Sequence, residues 1–370
     1  MARVLLAGDL GARDPGDDAL LSAFAHELPR WEIVVSSTDP TAAARRLRRP
    51  TVAAASPLEL ARVLRRTDVL VLGDAALRAL DWPGRRGRDL LALALAAKAA
   101  GRRLVLLGVG ADRLRRRSER VRAQLLVRAA DLLVLRDAAA ADALASGGAP
   151  GPFRVGADPA WCALPGARPR PRPREGVLVV LDARFAERRP WVADHLASAL
   201  DRVAVHGLRV RLAPWQISRF GADDLDLARA VSARVGARAR VLLPPADLDE
   251  ACAVAASAQV VLALRLHALI VAATAGTPAV PFGDGADLAA LGARLGAPAL
   301  PAGGDPEQLA ARILAAAHAG APDLDAIDRE RAAAREGFRL LRLLIDGERS
   351  TEDHDLIPLP LAPDPQRWAG

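Results

Sequence analysis

Short apolar runs alternate along the chain with longer segments that mix apolar and polar residues. In the first half, these runs are RVLLAG (3–8), EIVVSS (32–37), DVLVLG (68–73), RLVLLGVG (103–110) and DLLVLRD (131–137). Apolar runs of this length are typical of buried strands, and the segments between them, such as GRDLLALALAAKAAG (87–101), have the broad apolar face of a helix packed on a sheet. The alternation predicts a parallel α/β sheet.

The same alternation restarts after a proline-rich segment, PGARPRPRPREG (165–176). Alternating prolines disfavour helices and strand ladders, so this segment is predicted to be a linker. The later runs are GVLVVLDA (176–183), LRVRLAP (208–214), ARVLLPP (239–245), QVVLAL (259–264) and TPAVPFG (277–283). They predict a second parallel sheet, followed by a closing helix over 323–345.

The length of 370 residues suits two domains. We predict a first domain at 1–164, a linker at 165–176, a second domain at 177–347 and a loose tail at 348–370. Both domains are expected to be doubly wound and Rossmann-like, facing each other across a cleft. In such sheets ligands bind beyond the carboxyl ends of the strands, so polar residues at strand ends are the candidates for function.

Composition narrows the classes of function. The chain carries a formal charge of +7, with basic clusters such as RRLRR (45–49), but Lys98 is its only lysine and aromatic residues make up 3%. Scarce aromatics argue against base stacking, so no nucleic-acid partner is expected, whereas peripheral contact with an anionic membrane stays open. Cys162 and Cys252 show no metal-ligand spacing, so no metal is expected. With no long apolar stretch and no signal-peptide core, we expect a cytoplasmic protein.

Two polar residues interrupt the apolar segment VVLALRLHALIVAATAGTPAV (260–280). The segment predicts a strand, then a helix closed by Gly276, with Arg265 and His267 on the turn between them. A helix N-terminus together with an arginine favours an anion, and histidine can transfer a proton near neutral pH. The alternative is structural, with Arg265 in a salt bridge and His267 bonded to a carbonyl.

Other strand ends carry weaker candidates. Asp17 and Asp18 are expected to cap a helix near Gly16, and the glycines at 8, 11 and 16 do not form a dinucleotide fingerprint. Arg136 follows a strand and is expected either to bind a second anionic group or to pair with a neighbouring acid such as Asp137. Three further residues at strand ends, Gly108, Gly110 and Asp158, complete the candidates.

Together these motifs resemble the polysaccharide pyruvyl transferase family. In the order of the family's own motifs, the matching segments are GDDALL (16–21), LLGVG (106–110), LRDAAAADALASGG (135–148), ADPAW (157–161) and LRLHALIVAATAGTPAV (264–280). The last, with its Arg-Leu-His signature, is the most specific. The sequence departs from the family's pattern at Gly73-Asp74-Ala75, where a glycine triplet is expected, and at Ala140, where a serine is expected.

The resemblance implies a GT-B-like fold and a transferase that moves a pyruvyl group from phosphoenolpyruvate to a sugar of a cell-envelope polysaccharide precursor, forming a ketal. It implies that Arg265 and Arg136 bind the donor and that His267 is the acid or part of the donor clamp. Gly16, Asp17, Gly108, Gly110 and Asp158 are carried over as substrate-binding positions.

Phosphoenolpyruvate is then the donor substrate, with no metal or redox cofactor, and the acceptor is a glycan or a lipid-linked sugar, reached at the inner face of the membrane. Two alternatives stay open: a nucleotide-sugar glycosyltransferase of the same architecture, and a non-catalytic relative that binds a glycan. The departures at Asp74 and Ala140 favour the non-catalytic relative, whereas the pairing of Arg265 with His267 favours an enzyme.

Overall fold

The computed structural model describes most of the chain. The described residues are 2–10, 14–37, 39–47, 50–53, 56–73, 86–111, 114, 116–163, 174–217 and 223–346. The predicted tail and most of the predicted linker lie outside them, as do Asp74 and Ala75.

Twelve strands are present among the described residues. They are β1 (Arg3–Leu10), β2 (Glu32–Ser37), β3 (Thr51–Ala53), β4 (Val69–Leu72), β5 (Arg103–Val109), β6 (Leu132–Leu135), β7 (Arg154–Val155), β8 (Val177–Val180), β9 (Val210–Ala213), β10 (Ala239–Val241), β11 (Val260–Ala263) and β12 (Ala279–Pro281). All ten predicted strands are found. The two additional ones, β3 and β7, are too short to leave a clear apolar run.

Helices alternate with these strands. They are α1 (Pro15–Glu27), α2 (Pro40–Leu47), α3 (Pro57–Leu64), α4 (Arg86–Ala99), α5 (Arg117–Ala129), α6 (Ala138–Ser146), α7 (Ala183–Glu187), α8 (Val192–Val205), α9 (Asp224–Val235), α10 (Leu248–Ala256), α11 (Leu266–Thr274), α12 (Ala286–Arg294), α13 (Pro306–His318) and α14 (Leu324–Asp346). Short 3₁₀ helices lie at Pro159–Cys162 and Gly236–Arg238.

The chain divides into two compact units. The first comprises residues 1–11, 20–163 and 329–370, and the second comprises residues 12–19 and 164–328. The division near 164 lies close to the predicted boundary. In contrast, the closing helix was predicted to belong to the second domain, and from Arg329 onward it is grouped with the first unit. The segment 12–19 is likewise grouped with the second unit.

The first unit contains a seven-stranded parallel sheet in the order β3-β2-β1-β4-β5-β6-β7. The order reverses beside β1, as in doubly wound folds. All of β4 and the middle of β1, residues 4–7, are apolar and buried, because helices cover both faces of such a sheet. The late helix α14 contributes to this unit through Phe338, whose ring meets that of Phe24 edge to face at 4.9 Å between centroids.

The second unit repeats this winding with five parallel strands in the order β10-β9-β8-β11-β12. The order reverses between β8 and β11, so the loops that follow these two strands flank the position where doubly wound folds bind ligands. Leu196, Leu200, Leu262 and Ile313 are fully buried in the core of this unit. The predicted α/β fold with two Rossmann-like domains is therefore confirmed.

No helix among the described residues combines the length and the apolarity needed to span a membrane.

Candidate functional site

The Arg-Leu-His turn lies at the carboxyl edge of the second sheet. β11 ends at Ala263, and α11 begins at Leu266 with Arg265 as its N-cap residue in an extended conformation. The side chain of Arg265 makes no capping hydrogen bond to this helix start. The predicted placement between the strand and the helix is confirmed for Arg265, whereas His267 lies inside the helix, as the second residue of α11. Gly276 follows the helix at φ +68°, as predicted for its C-terminal end.

The guanidinium of Arg265 is surrounded by acceptors from four segments of the second unit. Its Nη2 donates to both oxygens of Asp224 at 2.8 and 2.7 Å, and its Nε donates to the carbonyl of Leu181 at 2.6 Å. Its Nη1 donates to Asp14 at 3.2 Å and to the side chain of Gln216 at 3.3 Å. The contacts of Arg265 therefore match the structural alternative, in which this residue forms a salt bridge. Its predicted contact with a donor stays a prediction.

Asp224 is the residue that fixes this arrangement. It is the first residue of α9, is fully buried, and lies 41 residues before Arg265 in the chain. Besides the guanidinium, its carboxylate accepts N–H bonds from Ala183 at 2.8 Å, Trp215 at 3.1 Å and Gln216 at 2.8 Å. One buried ion pair thus connects the loops after β8, β9 and β11, which are neighbouring strands.

The charges around Arg265 are predominantly negative. Burial alone would lower the pKa of its guanidinium, but the carboxylates of Asp182, Asp224 and Asp14 outweigh burial and raise that pKa, so Arg265 is charged at any physiological pH. The nearest oxygen of Asp182 lies 3.9 Å from Nη2. Three carboxylates face one guanidinium, so an anionic ligand reaches Arg265 only by replacing one of them. Two carboxylates hydrogen-bond to Arg265, and of these the carboxylate of Asp14 makes the longer contact and belongs to the more exposed side chain.

His267 lies against the start of α1. A Cβ added to Gly16 would lie 2.1 Å from Nδ1 of His267 and 2.6 Å from its Cγ, so only glycine leaves room for the imidazole. Asp14 bonds the N–H of Gly16 through its side chain at 2.8 Å and the N–H of Asp17 through its carbonyl at 3.0 Å. The structure therefore brings together Gly16, Asp17, Arg265 and His267, four of the predicted residues.

The predicted caps of α1 were wrong. Asp17 and Asp18 were expected to cap the helix, but both lie within its first turn, and Asp14 provides the bonds of a capping residue. The local reason is Pro15, which occupies the first helical position and moves the cap to the residue before it. Asp14 thus both starts α1 and contacts Arg265.

The remaining predicted residues belong to the first unit. Arg136 follows β6 and is 3% exposed, and its Nε donates to Asp137 at 3.1 Å. Asp137 also caps α6 by accepting the N–H of Ala140 at 2.8 Å. The expected alternative of an Arg136–Asp137 pair is therefore found, buried and not on the surface. That Arg136 and Arg265 hold one donor together stays a prediction.

Two other predicted positions of the first unit meet each other. A Cβ on Gly108, which has φ +64°, would lie 2.1 Å from Cδ of Pro159, so the last residues of β5 pack against the Asp-Pro segment. Asp158 is 2% exposed and accepts the N–H of Ala160 at 2.9 Å, which starts the short 3₁₀ helix. Gly110 directly follows β5 and is buried.

Sequence reasoning missed four residues of the site in the second unit: Asp14, Asp182, Gln216 and Asp224. Asp182 follows β8 and caps α7 through the N–H of Phe185 at 3.1 Å, so its position at a strand end was a usable signal. Asp224 gave no local signal, because DDLDL (223–227) is also the ordinary pattern of a capped helix start.

The site can position a histidine near a helix N-terminus and keep one arginine charged. These are the elements of proton transfer next to an anionic substrate. Among the residues that the structure describes, no group of three or more His, Cys, Asp or Glu side chains is arranged to hold a metal ion.

Comparison with known proteins adds a family and a fold. A family model described as polysaccharide pyruvyl transferase matches residues 17–285. No curated protein matches the chain. Among solved structures, UDP-GlcNAc 2-epimerase from Methanocaldococcus jannaschii is similar at a TM-score of 0.63 and 13% identity, over 94% of this chain and 100% of that chain.

Two further structures give the same result. Anabaena Alr3699/HepE in complex with UDP and glucose has a TM-score of 0.58 and 15% identity, over 92% of this chain and 95% of that chain. The S. aureus MnaA-UDP structure has a TM-score of 0.60 and 14% identity, over 93% and 96%. At such identities the similarity shows the fold alone, which is the GT-B-like arrangement of two α/β domains.

Proposed function

Because the chain belongs to the polysaccharide pyruvyl transferase family, we propose that it transfers a pyruvyl group from phosphoenolpyruvate to a sugar of a cell-envelope polysaccharide precursor. The observation that carries the proposal is the Arg-Leu-His turn, which lies within the matched residues at the edge where the second sheet reverses its order. There Arg265 is held by Asp224, and the imidazole of His267 is held against Gly16.

The reaction requires one proton donor and a way to hold an anion. Protonation of the enol carbon makes C2 electrophilic, two sugar hydroxyls then form C–O bonds to C2 as their O–H bonds break, and the bond from C2 to the phosphate oxygen breaks. One of the two hydroxyl protons replaces the proton given to the enol carbon, and the other leaves with inorganic phosphate. In our proposal His267 supplies the proton, as positioned histidines do in general acid catalysis. Phosphoenolpyruvate is the donor substrate, and the steps written here need no metal or redox cofactor.

The anionic donor is proposed to bind at the N-terminus of α11. Arg265, the N-cap residue, makes no side-chain hydrogen bond to the start of this helix, and helix N-termini favour anions. The donor carboxylate would take the place of Asp14 on Nη1 of Arg265, while the bidentate contact with Asp224 keeps the turn in position. Arg265 then has two roles, as an anchor for the turn and as a donor contact. The acceptor is a glycan or a lipid-linked sugar at the cytoplasmic face of the membrane.

Ligand-dependent thermal unfolding tests the donor. We expect phosphoenolpyruvate to raise the unfolding midpoint of the wild-type protein, because a ligand that binds only the folded state stabilises it.

The release of phosphate tests the proton donor. His267→Gln is expected to reduce phosphate release from phosphoenolpyruvate, with acceptor present, by about 10²-fold or more. His318→Gln is the matched control, since His318 is an exposed histidine of the same unit.

Three results would contradict the proposal. Stabilisation by UDP or GDP sugars without any response to phosphoenolpyruvate would favour the nucleotide-sugar glycosyltransferase. No response to any donor would favour the non-catalytic relative. Unchanged phosphate release in His267→Gln would remove His267 from the chemistry.

A further inference from the structure

A cavity of about 550 Å³ lies in the first unit, beside strands β1, β2 and β3 at one side of its sheet. It is bordered by α3 and by the first residues of β1 and β3, Arg3 and Thr51, together with Val34 of β2. Arg3 begins β1, and Arg65 and Arg66 lie just before β4, so these arginines are near the amino ends of the strands, whereas doubly wound sheets bind their substrates at the carboxyl edge. Its volume is within the range of small-molecule sites, roughly 300–1,000 Å³.

The lining of this cavity is strongly basic. Arg62, Arg65 and Arg66, at the end of α3 and directly after it, all line the cavity and are exposed. Within the described part of the chain, none of the three has a carboxylate partner. Three guanidiniums of like charge repel one another when they share one cavity, so their clustering is unfavourable unless an anion joins them.

The other charged groups of the cavity do not neutralise these three. Arg3 already pairs with Glu32. Glu59 also lines the cavity, and one of its oxygens accepts the N–H of Ala53 at 3.2 Å. A basic residue in the last turn of a helix stabilises the helix dipole, but one residue suffices for that and the effect fades within a turn.

We propose that this cavity binds an anion bearing two phosphate groups, or two neighbouring phosphates. Guanidinium groups form bidentate hydrogen bonds with phosphate oxygens, and three of them against the single carboxylate of Glu59 leave an excess of positive charge that matches a diphosphate. The shared chemistry is the phosphate group, and its source is either a free diphosphate compound or the headgroups of anionic lipids. The inference does not rest on the proposed transferase activity.

Titration of the full-length protein with inorganic pyrophosphate tests the free source. The variant Arg62→Ala/Arg65→Ala/Arg66→Ala is expected to weaken pyrophosphate binding about ten-fold or more, because it removes three charged contacts. The matched control is Arg30→Ala/Arg117→Ala/Arg128→Ala, which removes the same charge from exposed positions of the same unit. All six arginines are exposed, so both variants should unfold at the wild-type midpoint.

Sedimentation with vesicles tests the lipid source. Vesicles of phosphatidylcholine alone are compared with vesicles that also contain phosphatidic acid. A lipid headgroup is supported if the wild type and the control variant sediment with the acidic vesicles and the triple variant of α3 does not. A free diphosphate is supported if the wild type and the control bind pyrophosphate and the triple variant binds it more weakly. If neither ligand binds, or if binding survives in the triple variant, the proposal is wrong. Because binding and not transfer is measured, this outcome is independent of the donor experiment.

Discussion

Arg136 and Arg265 occupy the same kind of position in the two units, between a strand and the helix that follows it, but they differ in their partners. Arg136 pairs with the adjacent Asp137, which also caps α6. Arg265 is itself the N-cap residue of α11, and its acceptors come from distant segments. The first arrangement is completed locally and closes its helix start with a side chain. In the second arrangement, residues of other segments hold the arginine, and Arg265 makes no capping hydrogen bond to its own helix, which is why we place the donor there.

The largest expected effect comes from removing the distant partner in the second unit. Asp224→Ala leaves the buried guanidinium of Arg265 without its bidentate acceptor, and we expect a loss of about 3–5 kcal/mol in the free energy of unfolding. Urea denaturation checks it. The control is Asp226→Ala, whose side chain is 77% exposed on the same helix and whose loss should cost about 0.5 kcal/mol or less. A cost for Asp224→Ala no larger than the control's would show that Arg265 is not anchored by this pair.

Filling the space at Gly16 tests the contact between the helix start and the imidazole. Gly16→Ala introduces a Cβ 2.1 Å from Nδ1 of His267, so the ring or the helix has to move. We expect a cost of about 1–3 kcal/mol, the usual range for overpacking, and a loss of donor binding. Thermal unfolding with and without phosphoenolpyruvate measures both.

The matched control for this variant is Gly303→Ala. No atom lies within 4 Å of the Cβ that it adds, so it should unfold and bind as the wild type does. Gly16→Ala would argue against the described contact if it were as stable as this control and bound the donor equally well.

In the first unit, the pairing of Arg136 and the start of α6 should both depend on Asp137. Asp137→Ala removes the cap of α6 and an acceptor of Arg136, and we expect a loss of about 2 kcal/mol, near the upper end for a helix cap. Asp137→Asn keeps an acceptor for the N–H of Ala140 and should retain about half of the stability that Asp137→Ala loses. Asp142→Ala, at an exposed position of the same helix, is the control in urea denaturation. Equal costs for the variants at 137 and 142 would rule out the cap.

The smallest expected effect is a difference between the two units in how the free energy of unfolding depends on pH. Asp131 precedes β6 and accepts the N–H of Leu104 at 2.7 Å, and Gln259, which precedes β11, accepts the N–H of Gly176 at 2.7 Å. Burial alone would raise the pKa of Asp131, but the hydrogen bonds from Lys98 and from the Leu104 N–H outweigh it and lower the pKa. Asp131 therefore stabilises the folded state above about pH 4, and this stability is lost as the pH falls through the lowered pKa.

We accordingly expect Asp131→Ala to cost about 1 kcal/mol at neutral pH and progressively less in acid, while the cost of Gln259→Ala stays constant. Urea midpoints measured from about pH 7 down to about pH 3 give both curves. Parallel curves for the two variants would show that the charge of Asp131 contributes nothing.

Much of the fold was predictable because buried parallel strands are continuous apolar runs. VVLA in β11 and VLVV in β8 were found as predicted, and so was Arg265 between β11 and the next helix, although that helix begins before His267. The partner of Arg265 was not predictable, because Asp224 is 41 residues away and its local sequence indicates only a helix start. Gly16 was predicted from a motif alone, and the physical requirement for it appears only when His267 is in place.

The grouping of the closing helix with the first unit was not predictable for a related reason. Its apolar spacing predicted the helix and its ends to within one residue, but spacing does not reveal which core the apolar face joins. Phe338 packs on Phe24, more than three hundred positions earlier in the chain, and Gly337 contacts Leu107.

That contact between Phe24 and Phe338 has a consequence for synthesis on the ribosome. Chains are made from the N-terminus, and domains tend to fold in that order. Here the unit that is begun first is finished last, because α14 completes its core only after residues 164–328 have been made. A nascent chain stopped just before α14 would contain every strand of both sheets. Its first unit would still expose the apolar surface around Phe24, a target for chaperones until the final helix emerges.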